Sequence, residues 1–574
     1  MRVRPLATTL LFVLLTVATA CKKKADDGGG PGATTTTTSP TAAPDGPALT
    51  LVVAYGSEKK TWLEESARAF EASGAKTRSG KAIHIDGHAL GSGEAQQAIL
   101  DGSLKPHVYS PASGAYVTLL DQAWAARPGA AATATAKPLA PPGDPVVLSP
   151  IVIAMWKPMA EALGWPGKGI GWADIIKISR DPRGWAALGH PEWGAFKLGH
   201  THPEFSNSGL LAILAEAYAG AGKQRDLTAA DVASPRVHDF MAAVEGSIVH
   251  YGKSTGFFAD KLLDRGPAYM SAAVLYENLV VESYGKKNEN GMPLVAVYPL
   301  EGTFWSDHPY SILDADWVGP EEREAAQAFL AFLKARPQQE RALALGFRPA
   351  DPAVAIGAPV DEAHGCDAKQ PETLLDVPSG EVLTQLLALW RDVKKPTDVI
   401  LVFDKSGSMR GRALEEAKQG AKAFLEGLHD RDEVSLLFFD SRVYPLTDAG
   451  PLGERRKDLE QRIDQTIADG GTALYDATFE GYQAMQARAK AHPARIHAVV
   501  VMTDGRDEDS KLDLDALTKK FSPEASEVKI FTIAYGDSAD PKILAQIAEA
   551  AQGTSAKGSA ETIVQVYRDL SAFF

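Results

Sequence analysis

Val399-Ile400-Leu401-Val402-Phe403 runs straight into Asp404-Lys405-Ser406-Gly407-Ser408-Met409. The first five residues form an unbroken apolar run, the pattern of a strand buried on both faces. Beyond them the chain turns small and polar around a glycine, so the strand stops there. Apolar residues then recur at helical spacing over 413–428. Three more buried-type strands read over 434–439, 496–502 and 528–535, with a helical stretch over 475–489. Strands alternating with helices of this length predict a doubly wound, Rossmann-like α/β domain.

In open sheets of this kind a ligand sits beyond the carboxyl ends of the strands. Two of those ends carry aspartates. Asp404, Ser406 and Ser408 stand at i, i+2 and i+4, Thr472 lies in the loop 470–475, and Asp504 ends the later strand. Every candidate donor is an oxygen, which suits a hard cation such as Mg²⁺ over Zn²⁺. Two carboxylates meeting in one pocket also repel unless a cation sits between them.

This constellation resembles the von Willebrand factor type A (VWA) domain and its metal-ion-dependent adhesion site. Asp404-Lys405-Ser406-Gly407-Ser408 fits D-x-S-x-S, Thr472 fits the isolated threonine and Asp504 the distant aspartate. The resemblance covers 397–574. It implies direct coordination of Mg²⁺, or of Mn²⁺ or Ca²⁺, by Ser406, Ser408 and Thr472. Asp404 and Asp504 would bind directly or through water, leaving one position for an acidic side chain of a partner protein. Asp476, Asp507, Glu508 and Asp509 read as surface or loop-shaping groups.

Upstream, the apolar run 49–55 leads through Gly56-Ser57 into a helical stretch containing Trp62 and Phe70. The unit recurs with a strand at 82–85, Gly91-Ser92-Gly93 and a helix over 95–100, and a strand at 107–110 follows. This alternation predicts a mostly parallel sheet covered by helices. Further strands read over 145–156 and 294–299, and helices over 210–219, 321–335 and 337–345. Residues 51–57, 91–93, 108–113, 206–210, 273–278 and 295–303 together resemble the periplasmic solute-binding proteins of ABC importers. That resemblance implies two α/β lobes over 48–375, one built from about 49–140 plus a return near Asp307, with a small solute held between them.

Ser57, Ser92, Ser110 and Ser208 each follow a strand or precede a helix, where free backbone N–H groups favour an anion or carboxylate. Tyr276 and Tyr298 add hydroxyl donors, so these six are the candidate solute ligands. His200-Thr201-His202 has the period-2 spacing of a zinc pair, but no third ligand stands nearby in sequence and the stretch reads as a loop. The tryptophans read as packing residues.

With 574 residues, the chain is too long for one core, and its 45% hydrophobic and 23% charged residues are ordinary globular usage. A net charge of -14 argues against nucleic acid as a partner. Cys21 and Cys366 are the only cysteines, which excludes a disulfide framework. Arg2 and Arg4, an apolar stretch 6–18 and Ala18-Thr19-Ala20-Cys21 read as a signal peptide over 1–20. Its ending resembles the lipobox of bacterial lipoproteins, implying acylation of Cys21. Residues 21–47, rich in Gly, Thr and Pro, read as a tether, and 376–396 as a joint with a helix over 382–393. The expectation is an exported, non-enzymatic binding protein, lipid-anchored to the bacterial membrane, whose main output is metal-dependent protein recognition or adhesion beside a solute-binding or sensing module. The alternatives are delivery of a small solute to an ABC importer and, more weakly, a metal-dependent hydrolase, for which no base is evident.

Overall fold

The computed structural model describes residues 48–127, 138–286, 291–521, 528–536, 538–559, 562–571 and 573. The stretches read as a signal peptide and a tether, and Cys21 between them, lie outside the described residues. Three sheets organise the rest, and residues 46–574 cluster as one unit.

The first sheet runs Ala82–Leu90, Ala48–Gly56, Val108–Ser110, Pro309–Ile312, Asp144–Pro145 in spatial order. Its first three strands are parallel and Pro309–Ile312 is antiparallel to Val108–Ser110, so the chain does return to this lobe just after Asp307. The second sheet is built on the ten-residue strand Val147–Trp156. That strand runs antiparallel to Ala272–Tyr276, Leu294–Val297, Trp305–Ser306 and Arg348–Pro349. The first region is therefore less parallel than its strand–helix alternation predicts. Val147–Trp156 enters from the other lobe rather than through a helical crossover, so nothing forces it parallel.

The third sheet has the order Glu433–Phe439, Thr397–Asp404, Ile496–Thr503, Val528–Tyr535, Ser555–Gly558, all parallel. Every residue of Thr397–Asp404, Ile496–Thr503 and Val528–Tyr535 is buried, as central strands covered by helices on both faces must be. Among the helices of the described residues, none is long and apolar enough to cross a membrane.

The joint between the modules is packed. Helix Gly380–Val393 buries Val382, Leu383, Leu386 and Trp390. The Trp390 ring meets His202 edge-on at 4.6 Å and Tyr251 at 5.6 Å, both from the second lobe. Arg431 of the C-terminal module donates to the carbonyls of Asp392 and Lys394. Asp432 accepts from Thr397 N at 2.8 Å, fixing the first strand to the end of the joint. A single apolar cluster continues from the second lobe through Trp390 into Val399 and Phe424.

Trp390→Ala is expected to cost the full-length chain about 3–5 kcal/mol, because it opens a cavity where two modules share one core. Urea unfolding of both proteins checks this, and a loss under about 1 kcal/mol would contradict a shared core.

Candidate functional site

Asp404 is the last residue of its strand, and Asp504 immediately follows the adjacent parallel strand Ile496–Thr503. Parallel pairing delivers both carboxylates to the same edge of the sheet. Asp404 Oδ1 accepts from Ser406 N at 2.7 Å, and Oδ2 accepts from Thr503 Oγ1 at 2.5 Å. The Ser406 and Ser408 hydroxyls are 3.0 Å apart, and Ser408 Oγ donates to Asp504 Oδ1 at 2.7 Å. Thr472 comes from the loop before helix Leu474–Ala491. Its carbonyl accepts from Glu508 N at 2.8 Å and Asp509 N at 3.1 Å, tying that loop to the one after Asp504. Gly505 lies against both hydroxyls: a Cβ there would stand 3.3 Å from Thr472 Oγ1, a tight contact, and 3.7 Å from Ser408 Oγ. The five residues named from sequence thus face one small space. Asp404, Ser406, Thr472 and Asp504 are buried and Ser408 is exposed, so the space opens to solvent on the Ser408 side.

Among the described residues no cationic side chain pairs with a carboxylate of this space. Burial pushes the Asp404 carboxyl up to about 6 against the hydrogen bonds from Thr503 and Ser406, and the Asp504 charge adds to the rise. Burial raises Asp504 as well. Lys405, between two of the donors, is not the counter-ion. It pairs with Asp440, which also accepts from Tyr444 Oη at 2.6 Å. Among the described residues neither site carboxylate is paired with a cationic side chain. A divalent cation fits this donor set by charge and by hardness. Asp476 and Asp507 shape loops, as expected from sequence: Asp476 accepts from Lys511 N and Leu512 N, Asp507 from Tyr475 N.

Between the two lobes the protein bonds directly to itself. Gly93 N and Glu94 N donate to Phe205 O at 3.0 and 3.1 Å, and Tyr116 Oη donates to Pro203 O at 2.5 Å. Of the six candidate solute ligands, Ser57 accepts from Gly256 N at 3.0 Å and Ser92 from Ala112 N at 3.1 Å. Ser208 shares hydrogens with Thr201 and Thr255 at 2.7 and 2.8 Å, and Tyr276 accepts from Asn207 at 2.9 Å. Tyr298 stands apart in the second lobe, donating to Glu277, which Arg348 clamps at 2.7 and 2.8 Å. Ser110 is buried with an unpartnered hydroxyl.

Sequence reasoning passed over the most unusual groups of this seam. Glu58 and Lys59, directly after Ser57, are buried together, with Lys59 Nζ 3.0 Å from Glu58 Oε1, 3.2 Å from Pro111 O and 3.2 Å from His308 Nδ1. Burial favours the neutral Glu58, but Lys59 and His308 outweigh it and hold the carboxyl at about 2. His308 has φ 40°, a strained backbone for a non-glycine residue, and its Nε2 is unpartnered. The signal available was an acid–base pair at a strand end, which ordinarily faces water and so draws no attention.

Two families match the chain. "Bacterial extracellular solute-binding protein" matches residues 51–348, more than half of the 574, and "von Willebrand factor type A domain" matches residues 398–567. The chain belongs to the bacterial extracellular solute-binding proteins. It carries a VWA domain behind the solute-binding module. An uncharacterized protein of Mycobacterium tuberculosis strain H37Rv is 22% identical over 462 residues, 74% of this chain and 63% of that one. An uncharacterized protein of Synechocystis is 30% identical over 165 residues, 28% of this chain and 38% of that one. The chain thus spans less than two thirds of these relatives' own length. Among solved structures, the sulfate-binding protein SubI from M. tuberculosis H37Rv aligns with TM-score 0.37 at 18% identity, covering 60% of this chain and 97% of that one.

In the VWA domain, an aspartate whose folded value lies above its ordinary one stabilises the protein at low pH and loses that stabilisation as pH rises through about 6. The imidazoles of His202, His250, His308 and His497, all held low by burial, act oppositely between pH 7 and 5. They are common to wild type and variant, so the comparison isolates Asp404. In chelator, Asp404→Asn is expected to be more stable than wild type by up to about 3 kcal/mol at pH 7, a gain that shrinks by about 1 kcal/mol at pH 5. Urea melts at both pH values check it, and a gain independent of pH would contradict the buried, uncompensated carboxylate.

Proposed function

We propose that the protein is an exported, lipid-anchored recognition protein whose VWA domain binds an acidic group of a protein partner through Mg²⁺. The observation that carries this reading is the pair of buried carboxylates, Asp404 and Asp504, linked through Ser406 and Ser408 and, among the described residues, without a cationic partner. Ser406, Ser408, Thr472, Asp404 and Asp504 would hold the ion, with Mn²⁺ or Ca²⁺ as substitutes. When bound, the ion supplies the positive charge that a partner's carboxylate completes.

The position of the site supports the same reading. The strand Thr397–Asp404 starts at the packed joint and ends at the metal centre, about 25 Å away for eight residues. The partner-facing edge is therefore at the opposite end of that strand from the joint. That module takes a small solute by family. Lys59, His308 and Ser110 at the interlobe seam are the groups best placed to meet a polar one. If the chain instead delivers that solute to an importer, it co-purifies with a permease whether or not Mg²⁺ is present.

Mg²⁺ is expected to stabilise the full chain by about 2.7 kcal/mol at a concentration 100 times its dissociation constant, and EDTA to reverse this. Asp504→Ala abolishes the response. Partner capture from envelope extracts is expected in Mg²⁺ and not in EDTA. Capture that survives both EDTA and Asp404→Ala rules out the metal-bridged mechanism. Cys21→Ser is expected to move the protein from the membrane to the soluble fraction, because the acyl chain is the proposed anchor. Retention in the membrane after detergent partitioning would refute it.

A further inference from the structure

His200 and Thr201 lie in the strand Leu198–Thr201, and His202 directly follows it. The strand setting corrects the loop reading of this stretch. His200 is fully buried, and its Nδ1 lies 2.7 Å from Thr201 O. A carbonyl only accepts, so Nδ1 carries the hydrogen and Nε2 presents its lone pair. That lone pair faces Glu245 Oε1 at 3.1 Å. Two acceptors at this distance require a cation between them, either a proton or a metal.

A second carboxylate decides which group to look for. Glu216, from helix Asn207–Ala221, is fully buried, and both its oxygens lack a hydrogen-bond partner among the described residues. The donor atoms of His200, Glu216 and Glu245 all lie within 4.8 Å of one another. Glu245, at the end of helix Pro235–Glu245, accepts from Tyr251 Oη at 2.6 Å through its other oxygen. Leaving a buried carboxylate unbonded is costly, and this one sits in an otherwise apolar helix. His202 takes no part, being packed against Trp390.

We propose that His200 Nε2, Glu216 and Glu245 form a buried binding site for a divalent transition-metal ion of the Zn²⁺ class, set in the second lobe beneath the joint. One imidazole and two carboxylates are a ligand set for such ions. The bond from Nδ1 to the Thr201 carbonyl and the bond from Tyr251 to Glu245 are the outer contacts that orient metal ligands. Bonds of about 2.0–2.2 Å hold tetrahedral ligands roughly 3.3 Å apart, a spacing that donor atoms within 4.8 Å of one another reach by side-chain adjustment. This site shares no residue with the Asp404 centre and its dependence on a transition metal is a separate claim.

The test uses the full chain carrying Asp504→Ala, stripped with chelator and then titrated with Zn²⁺ alone and with Co²⁺ alone. One equivalent of each is expected to bind, with Co²⁺ giving visible absorption and Zn²⁺ X-ray absorption showing one imidazole among oxygen ligands. Glu216→Gln in the same background weakens binding about 100-fold or more, and Tyr251→Phe about 10-fold, the second serving if the first does not fold. Two results overturn the proposal. One is an equivalent that Glu216→Gln and Tyr251→Phe both bind as tightly. The other is no transition-metal binding at all, with Glu216→Gln simply raising the melting temperature, which would mean that protons alone bridge the cluster.

Discussion

Two carboxylates at the end of a buried parallel sheet set the terms for the C-terminal module. The sheet must be covered on both faces, so its polar groups can gather only at the strand ends, and parallel pairing sends Asp404 and Asp504 to the same end. Low dielectric makes their joint ionisation unfavourable, and the partners the described residues supply there are hydroxyls and N–H groups. The surrounding loops serve that arrangement. Lys405 is turned to Asp440, Gly505 leaves room for Thr472, and Thr472 O joins two loops that would otherwise be independent.

The other end of the same strands makes the protein one body. Thr397 N is held by Asp432, Arg431 clasps the carbonyls of the joint, and Trp390 fills the space between His202 and Tyr251. A helix with a buried tryptophan and a continuous core transmits position far better than a polar linker would. The orientation of the Asp404 site relative to the second lobe is thereby fixed by packing.

How much of this was legible in sequence depended on how far apart the cooperating residues lie. Asp404, Ser406 and Ser408 are close in the chain and follow an unmistakable buried strand, and Thr472 and Asp504 follow recognisable signals of their own. The seam between the lobes was harder. Its serines were visible at strand ends and helix starts, yet none of Ser57, Ser92 or Ser208 caps its own helix through its side chain; each bonds to a distant element instead. Glu58, Lys59 and His308 become unusual only once the second lobe buries them. Glu216 and Glu245 were beyond reach for the same reason, since only the packing of two helices on the strand Leu198–Thr201 brings them to His200.

The contacts around Lys253 show what moving one part would do to the others. Lys253, in the second lobe, pairs with Glu94 of the first lobe and, at 2.8 Å, with Asp569 on the last helix of the VWA domain, Ile563–Ser571. Its charge is held by both, even though burial opposes it. Nearby, Arg265 donates to Gly553 O at 3.1 Å and the His250 ring stacks on Phe573 at 5.4 Å. Opening the lobes would pull Glu94 away and leave Lys253 with Asp569 alone, while Arg265 and His250 keep the VWA domain on the second lobe. The VWA domain is therefore held to the second lobe by contacts of its own, and Lys253 is the point where both lobes and the VWA domain meet.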